Sequence, residues 1–239
     1  MNAKFAGAVV IVAGGTGGLG RAVSKAFLEQ GASVVTPYRS RDEYQGLVEE
    51  VADAQSRLEG EPIDVTDAVA TRGLVERLMA RHARLDVLVN TVGGYSGGTK
   101  LWDLDAAVLE RMLALNLRSL HALARAVVPL LLKQGRGAIV NVAAKAAVDH
   151  PSGASAYAAS KAAALAMADS LAAELVGSGV RANTILPSVI DTPANRRAMP
   201  KADFAKWPKP ADIAKVILFL SSDEATAVHG ASIPVYGNR

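Results

Sequence analysis

Short apolar runs alternate along this chain with longer stretches of helical periodicity. The apolar runs are rich in β-branched residues and cover 9–12, 33–36, 87–89, 138–142 and 180–186, with a last short run at 231–235. The helical stretches cover 18–30, 41–58, 67–82, 105–133, 155–177 and 210–222. Continuous apolar strands separated by helices are typical of a parallel sheet covered on both faces. The pattern predicts an α/β fold, a doubly wound parallel sheet of about seven strands with helices on both faces.

The composition favours one domain and argues against several classes of function. A chain of 239 residues, half of them apolar, can bury a large core, so we expect a single domain over 1–239. The net charge is +3 with both signs interleaved, and no nucleic-acid partner is expected. There is no cysteine and the four histidines show no ligand spacing, so we expect no metal site. The first apolar run is too short for a signal peptide or a membrane span, which favours a cytoplasmic protein without membrane contact.

The functional residues of a doubly wound sheet lie beyond the carboxyl ends of its strands. The loops expected there cover 14–20, 38–40, 64–65, 90–98, 143–155 and 187–208. The last of them is the longest irregular segment, and long loops within a compact domain often serve as lids or binding loops. We expect the chemistry of the protein to be concentrated in these six segments.

A glycine-rich loop joins the first predicted strand to the first predicted helix. Five of the seven residues from 14 to 20 are glycine. Glycines at such a corner let the backbone approach a pyrophosphate, which the free N–H groups and the dipole of the helix N-terminus then hold. A flexible turn is the alternative, but the position between strand and helix favours nucleotide binding. The predicted contacts are Gly14, Thr16, Gly18, Leu19 and Gly20.

A tyrosine and a lysine stand one helical turn apart at Tyr157 and Lys161. Residues four apart share one face of a helix, so the ammonium group can stabilise a phenolate. A tyrosine titrates near pH ~10 in model peptides, and a neighbouring cation lowers that value. The pair therefore predicts a proton donor for hydride chemistry. A solvated surface pair is the alternative for this spacing when it is taken alone.

Taken together, the GxxxGxG spacing of the loop and the YxxxK pair resemble the short-chain dehydrogenase/reductase family over essentially the whole chain. The resemblance implies a Rossmann domain with a cofactor half at about 1–140 and a catalytic and substrate-loop half at about 141–239. It implies that Tyr157 is the acid/base and that Lys161 holds the nicotinamide ribose. Further implied cofactor contacts are Asp64 and Val65 at the adenine, Asn90 and Val92 after strand four, and Pro187, Ile190 and Thr192 at the nicotinamide carboxamide.

Two roles that the resemblance implies, those of Asn116 and Asp64, have simpler alternatives. Asn116 matches the asparagine that supports a proton relay through the active-site lysine, but a buried asparagine is otherwise a satisfied polar group. Asp64 matches the aspartate that meets the adenine, and a helix-capping turn explains it equally well.

The end of strand two bears on the choice of cofactor. Members of the family that use NAD carry an acid there for the ribose 2′-hydroxyl, whereas an arginine accommodates a 2′-phosphate. The acid position falls on Tyr38, and Arg39, Ser40 and Arg41 follow it. Charge-assisted recognition of a phosphate then favours NADPH/NADP over NAD. Ordinary solvated loop residues are the alternative.

The chain departs from the family pattern at Ala144, where the catalytic serine is expected thirteen residues before the tyrosine. That serine donates a hydrogen bond to the substrate oxygen, and removing one such donor typically costs about 10²–10³ in rate. Another group replaces it, or the substrate needs no such donor, or the protein is inactive. The candidate replacements are Lys145, Ser155 and Tyr95.

Three segments, 93–98, 143–149 and 192–204, resemble dihydropteridine reductases, which also lack the serine. Hydride delivered to a quinonoid pterin spreads the developing charge over a conjugated ring, so no isolated alkoxide needs a donor. Tyr95 and Trp207 are expected to stack on such a ring. Ala144 and Lys145 are the other expected substrate residues. Two features argue against assigning the dihydropteridine substrate on this resemblance alone: the acid after strand two is missing, and Asn116 is retained.

The sequence therefore predicts an NADP-preferring short-chain oxidoreductase that acts on a small molecule. As its substrate we favour a quinonoid dihydropterin or a similar flat acceptor slightly over a small carbonyl compound. With a carbonyl substrate the protein is a carbonyl or 3-oxoacyl type reductase that uses a substitute for the missing serine. A non-catalytic NADP(H)-binding regulatory protein is the alternative from another class. The resemblance also implies a homotetramer or homodimer built on the helices at 105–133 and 155–177.

Overall fold

The computed structural model describes residues 3–237, which form one parallel sheet with helices on both faces. The strands are β1 (Val9–Ala13), β2 (Ser33–Tyr38), β3 (Leu58–Pro62), β4 (Val87–Asn90), β5 (Gly137–Val142), β6 (Val180–Pro187) and β7 (Ser232–Val235). Their order in the sheet is β3-β2-β1-β4-β5-β6-β7, and every neighbouring pair is parallel. The predicted doubly wound α/β domain is confirmed.

The described residues form nine α-helices. They are α1 (Gly18–Glu29), α2 (Arg41–Glu50), α3 (Ala68–His82), α4 (Ala106–Leu113), α5 (Ser119–Gln134), α6 (Ala146–Asp149), α7 (Ser155–Glu174), α8 (Pro193–Ala198) and α9 (Pro210–Ser221). Alternate residues of β1 enter different cores: Val10 and Val12 pack with α1 and α9, whereas Val9 and Ile11 pack with α3 and α5. Because each fully buried side chain of this type stabilises the fold by about 1.5–3 kcal/mol, the two cores hold the strand ends in fixed positions.

Local signals set several helix boundaries. Asp67 caps α3, its carboxylate accepting hydrogen bonds from the N–H groups of Val69 (2.8 Å) and Ala70 (3.1 Å). Thr192 caps α8 in the same way, and Pro193 fills the first helical position. Gly135 ends α5 in the left-handed conformation at φ +67°, which glycine adopts without steric cost.

The stretch predicted as one helix over 41–58 is shorter in the structure. Helix α2 ends at Glu50, a 3-10 helix follows at Ala52–Arg57, and β3 begins at Leu58. The sequence did not indicate β3 because Leu-Glu-Gly-Glu-Pro is polar, as an edge strand can be. It is held by Glu61, whose carboxylate pairs with Arg77 (2.8 Å) and Arg81 (2.6 Å) of α3.

The helix predicted over 105–133 contains an interruption. Helices α4 and α5 are joined by a π-helical turn at Ala114–Arg118, with Asn116 buried inside it. Single π turns within helices frequently mark functional sites. By length and composition alone, the run Ala106–Gln134 is apolar enough to cross a membrane. In the fold it contacts α3, α7 and β5.

Candidate active site

The glycine loop between β1 and α1 is held tightly to its neighbours. Gly14 has a φ of +77°, and a Cβ on it would lie 2.8 Å from the Thr91 hydroxyl oxygen. That hydroxyl donates a hydrogen bond to the carbonyl of Ala13 (2.8 Å). A Cβ on Gly20 would overlap the carbonyl oxygen of Gly14. Helix α1 therefore begins directly against the loop, which only glycine permits at this distance.

The N-terminus of α1 has the features of an anion site. Gly17 is its N-cap, no side chain caps it, and its first turn contains no acidic residue. The N–H groups at this end and the helix dipole favour a phosphate. The Leu19 side chain is buried in the core, and the Thr16 hydroxyl donates a hydrogen bond to a carboxylate oxygen of Glu43 (3.2 Å). Of the predicted contacts, Leu19 can thus offer only its backbone.

The segment after β6 reaches the same loop. Thr192 is buried and its N–H donates a hydrogen bond to the carbonyl of Ile190 (2.8 Å). A Cβ on Gly18 would lie 2.9 Å from the Thr192 methyl carbon. The glycine loop, predicted to hold the pyrophosphate, is therefore a neighbour of the segment after β6, which is predicted to contact the nicotinamide.

An aromatic pair occupies the end of β2. Tyr38 stacks on Tyr44 of α2, with ring centroids 4.6 Å apart and planes inclined by 6°. Burial raises the pKa of Tyr44. Gly60 of β3 lies beneath both rings, where a Cβ would overlap Tyr44. Ser40 caps α2 and accepts a hydrogen bond from the N–H of Glu43 (3.2 Å).

The charged groups predicted at the adenosine end lie close together. An Arg39 guanidinium nitrogen is 3.9 Å from a carboxylate oxygen of Asp64, and both side chains are exposed, by 68% and 45%. The other Asp64 oxygen accepts hydrogen bonds from the N–H (2.9 Å) and hydroxyl (2.8 Å) of Thr66. Val65 is buried and Arg41 is exposed. Asp64 thus forms the turn expected from sequence and also faces Arg39.

Two asparagines meet on the neighbouring strands β4 and β5. The Asn90 amide donates to the side-chain oxygen of Asn141 (3.1 Å), and its own oxygen accepts from the N–H of Val92 (3.2 Å). The Asn141 amide nitrogen is buried without a hydrogen-bond partner among the described residues. The pair fixes the first residues of the loop after β4.

Tyr157 and Lys161 lie in the first two turns of α7, and burial dominates the ionisation of both. Burial lowers the pKa of Lys161 to about 8, and its ammonium group donates a hydrogen bond to the carbonyl of Val142 (2.9 Å). Burial and, second to it, the nearby Tyr95 phenol raise the pKa of Tyr157 to about 12.

The lowered pKa expected for Tyr157 is therefore wrong for this structure. The spacing argument assumed a solvated, charged lysine beside an ordinary phenol. Here both groups lose hydration, which disfavours the charged form of each. Tyr157 is held as the neutral phenol at neutral pH, which is the form that donates a proton.

Asn116 connects α7 to the loop after β4. Its amide donates hydrogen bonds to the Ser160 hydroxyl (2.9 Å) and to the carbonyl of Gly94 (3.1 Å), and its oxygen accepts from the N–H of Gly94 (3.0 Å). A Cβ on Gly93 would lie 2.9 Å from that oxygen and 3.0 Å from the Lys161 ammonium nitrogen. Asn116 and Lys161 therefore border one small space beside Gly93.

The assembled site can be compared with known proteins. A sequence model described as short chain dehydrogenase matches residues 8–203. The chain belongs to the short chain dehydrogenase family.

Two curated relatives match this short chain dehydrogenase along its length. It is 31% identical over 242 residues to the 3-oxoacyl-(acyl-carrier-protein) reductase FabG of Thermotoga maritima, which covers 98% of both chains. It is 32% identical over 246 residues to the 2,5-dichloro-2,5-cyclohexadiene-1,4-diol dehydrogenase LinX of Sphingobium indicum, covering 99% of this chain and 98% of that one. The comparisons show a short-chain oxidoreductase. They do not show the resemblance to dihydropteridine reductase.

Solved structures agree with this fold. The crystal structure of gox2181 superposes with a TM-score of 0.91 at 28% identity, covering 98% of this chain and 96% of that chain. A short-chain type dehydrogenase/reductase from Mycobacterium ulcerans superposes with a TM-score of 0.92 at 26% identity, covering 97% and 89%.

A nicotinamide dinucleotide, the cofactor of the family, fits the residues present. Gly14, Gly18 and Gly20 leave the backbone free of side chains where the loop meets the helix N-terminus. The space beside Gly93 is bordered by an amide oxygen and an ammonium group, which suit ribose hydroxyls. The bond from Lys161 to Val142 uses one of the three donors of the ammonium group.

The position of the missing serine is apolar in this short chain dehydrogenase. Ala144 is 6% exposed and offers no side-chain donor. Lys145, one candidate replacement, lies 3.4 Å from a carboxylate oxygen of Asp149 and 5.4 Å above the Tyr236 ring. The Ser155 hydroxyl is buried and has no partner among the described residues.

The two aromatic residues predicted to stack on a substrate lie in different surroundings. The Tyr95 ring meets the Tyr157 ring edge to face, with centroids 5.0 Å apart and planes at 74°, and its side chain is 69% exposed. Trp207 packs against Phe204 at 5.0 Å, and Arg196 lies above the same phenylalanine. The structure brings Tyr95 to Tyr157 and gives Trp207 a packing role within the loop after β6.

Three residues that sequence analysis missed complete the site: Glu43, Asn141 and Ser160. Asn141 carries a detectable signal, since it is polar within the apolar run of β5. Glu43 and Ser160 carry none, because their contacts are made across separate elements. Within residues 3–237, no group of three or more His, Asp or Glu side chains is placed to hold a metal.

A cavity of about 600 Å³ lies at the opposite edge of the sheet. Its lining includes the first residues of β4, β5 and β6, which are Val87, Gly137 and Val180. It also includes the residues at the C-terminal ends of α7 and α9. None of the predicted site residues lines it, so the carboxyl edge is the candidate active site.

Proposed function

We propose that this protein is an NADPH-preferring reductase that transfers hydride to the carbonyl carbon of a small organic compound. Two observations carry the proposal: the half-buried phenol of Tyr157 stands one helical turn before Lys161 on α7, and Lys161 and Asn116 border the same small space beside Gly93. The bound cofactor supplies the hydride. The protein supplies the proton, the orientation and the exclusion of water.

Tyr157 is the proposed general acid. A carbonyl oxygen gains negative charge as hydride reaches its carbon, so it becomes basic enough to take the proton of a phenol. Lys161 holds the nicotinamide ribose and favours charge at the site. Asn116 positions the loop after β4 and supports the proton relay. The segment 187–208 closes over the substrate and excludes water from the hydride path.

Two acceptor classes follow from different observations. The reductase and the dehydrogenase to which the chain is 31% and 32% identical are named for carbonyl or alcohol chemistry, and this supports a carbonyl acceptor. Ala144 supports a second candidate, a quinonoid dihydropterin or similar conjugated acceptor, because delocalised charge needs no isolated hydrogen-bond donor.

The test is oxidation of NADPH by the purified protein with small ketones, 3-oxoacyl thioesters and quinonoid dihydropterin, compared by kcat/KM. We expect the carbonyl compounds to give the highest values. A dihydropterin that exceeds every carbonyl compound would replace the first candidate with the second. NADPH binding without turnover of any acceptor would contradict both and favour a regulatory nucleotide-binding protein.

The preference for NADPH is proposed on the charge at the end of β2. Tyr38 replaces the acid that would repel a phosphate, and Arg39 is 68% exposed with Asp64 only at 3.9 Å. Arg39→Ala should weaken NADPH binding by about 10–100-fold, because a hydrogen bond to a charged group contributes about 1.5–3 kcal/mol. NADH binding should change little. Isothermal titration of both nucleotides checks this.

Arg72→Ala is the matched control, because Arg72 is equally exposed on α3 and its one ion pair within residues 3–237 is with Glu76. Equal loss of NADPH and NADH affinity in Arg39→Ala, or tighter NADH binding by the native protein, would contradict the preference.

The lowered pKa of Lys161 predicts a pH dependence of cofactor binding. Its ammonium charge is half lost at about pH 8 rather than near the ordinary lysine value. The charged form favours the cofactor, so NADPH affinity should be highest below this value and fall as the pH rises through it. Titrations from about pH 7 to about pH 10 measure the effect.

The Lys161→Met variant should bind NADPH weakly at every pH and show no such decline. Constant affinity of the native protein across the range, or the same decline in the variant, would exclude Lys161 as the titrating group.

The proposal also includes a homodimer or homotetramer in the cytoplasm. An apolar cluster outside the two cores joins Leu117 of the π turn and Leu120 of α5 to Ala164, Met167 and Ala168 of α7. Helices that are apolar on several faces are suited to burial on two sides.

A further inference from the structure

Carbonyl reduction needs a second donor beside Tyr157, and the described residues must supply it without a serine at position 144. A hydrogen bond to the carbonyl oxygen stabilises the charge that develops there, and its loss typically costs about 10²–10³ in rate. The three candidate side chains, Lys145, Ser155 and Tyr95, have different surroundings in the structure. These surroundings decide which of the three can donate a hydrogen bond to a substrate.

The contacts of Lys145 make it a poor donor to the substrate. Its ammonium nitrogen is 3.4 Å from the Asp149 carboxylate one turn along α6, and it lies over the Tyr236 ring near the end of β7. Both contacts favour its present position, because they satisfy its charge and cover its stem.

Ser155 faces the wrong side of α7. It stands two residues before Tyr157, and side chains two apart on an α-helix leave it in nearly opposite directions. Its hydroxyl oxygen is buried, so a substrate in front of the Tyr157 phenol does not reach it.

Tyr95 lies directly against Tyr157. The two rings are 5.0 Å apart, edge to face, and Tyr95 raises the pKa of Tyr157, which requires the two phenols to be close. Tyr95 is 69% exposed, so a small substrate can reach this residue. A Cβ on Gly97 would overlap the Tyr95 hydroxyl, and glycine at this position therefore leaves the hydroxyl room.

The loop that carries Tyr95 is fixed on both sides. Before it, Gly94 exchanges two hydrogen bonds with the Asn116 side chain. After it, the N–H of Gly98 donates to the carbonyl of Gly153 (2.8 Å), and Lys100 bonds the Ser152 hydroxyl (3.1 Å). The loop is thus attached to the π turn and to the segment that leads into α7. Such anchoring gives a donor the fixed position that electrostatic stabilisation of a transition state requires.

We infer that Tyr95 is a catalytic residue that donates a hydrogen bond to the substrate carbonyl oxygen and replaces the serine absent at Ala144. Tyr95 keeps its proton throughout. Tyr157 transfers its own proton to the same oxygen as the carbonyl carbon receives hydride. This inference rests on the proposed carbonyl reduction.

The test compares kcat and KM for a ketone acceptor in the native protein, Tyr95→Phe, Ala144→Ser and the double variant. Phenylalanine keeps the ring that packs on Tyr157 and removes only the hydroxyl. We expect Tyr95→Phe to lower kcat by about 10²-fold with a smaller change in KM. Ala144→Ser, introduced together with Tyr95→Phe, should restore much of the activity that Tyr95→Phe alone loses. Tyr236→Phe is the control, since it removes a phenol on the far side of Lys145.

Two results overturn the inference by different routes. Turnover by the native protein that is unchanged in Tyr95→Phe, or a large gain from Ala144→Ser alone, excludes Tyr95 as the donor while the proposed function stands. Failure of the native protein to reduce any carbonyl compound overturns the proposed function and this role together. Melting temperatures and NADPH affinities equal to those of the native protein show that each variant is folded.

Discussion

Replacing Tyr157 by phenylalanine will lower the rate of carbonyl reduction by about 10²–10⁴-fold and leave NADPH binding nearly unchanged. The magnitude is that of a positioned general acid. The phenol is 5.0 Å from the Tyr95 ring and has its pKa raised to about 12, so at neutral pH it holds the proton that the reaction consumes. Phenylalanine fills the same volume, which limits the change to the missing proton. Steady-state oxidation of NADPH and isothermal titration measure the two quantities.

A loss shared by turnover and cofactor binding would show that Tyr157 acts through the fold instead. Unchanged turnover would exclude it as the acid. The melting temperature of the variant separates these cases, since a packing defect lowers it and a missing proton donor does not.

The Gly20→Ala variant will lose most of its affinity for NADPH and will unfold at a lower temperature. An added Cβ would lie 2.6 Å from the Gly14 carbonyl carbon and 2.8 Å from the Gly15 Cα, and backbone atoms cannot rotate away. Overpacking of this kind costs about 1–3 kcal/mol. Each kcal/mol lowers the melting temperature of a chain of this size by roughly 2–4 °C. The displaced atoms form the proposed phosphate loop. The variant should therefore lose NADPH affinity as well as thermal stability.

Gly17→Ala, in the same loop, is the matched control for stability. Its φ is −78° and the nearest atom to an added Cβ is 3.4 Å away, so the free protein accommodates the methyl group. Thermal unfolding of both variants, with and without NADPH, checks the prediction. Equal melting temperatures for the two variants would show that the close approach of α1 to the loop contributes nothing.

The buried parts of the fold were predictable from the sequence because they depend on periodicity. Strand β1 is apolar throughout and buried on both faces, as a central parallel strand requires. Strand β3 was not predictable, since an edge strand tolerates Glu, Gly and Pro and the helical pattern of α2 runs into it. The π turn at Asn116 was also beyond reach, because one extra residue in a helix leaves the apolar pattern nearly unchanged.

The candidate site was predictable where spacing along the chain determines it. The glycine loop and the Tyr157–Lys161 pair are local features, and the structure places both at the carboxyl edge. The predicted direction of the Tyr157 pKa shift was wrong because burial, which sequence does not show, and the nearby Tyr95 phenol both raise that pKa. The bond from Thr16 to Glu43 depends on how α2 packs beside the loop, which no motif encodes.

The assignment of Tyr95 shows how the structure narrows alternatives that sequence leaves open. Three side chains were equal candidates for the missing donor at Ala144. Contacts made by Lys145 and the burial of the Ser155 hydroxyl remove two of them. What remains is a phenol that packs against the proposed acid on a loop anchored by Asn116.

The most direct test of hydride transfer is mass spectrometry of the product made from NADPH in which both hydrogens on the transferring carbon of the nicotinamide are deuterium. Native protein should yield an alcohol with one deuterium at the former carbonyl carbon. Tyr157→Phe should yield about 10²–10⁴-fold less of the same labelled product. Product without deuterium, or no product although NADPH binds, would contradict the conclusion that this short chain dehydrogenase is a reductase.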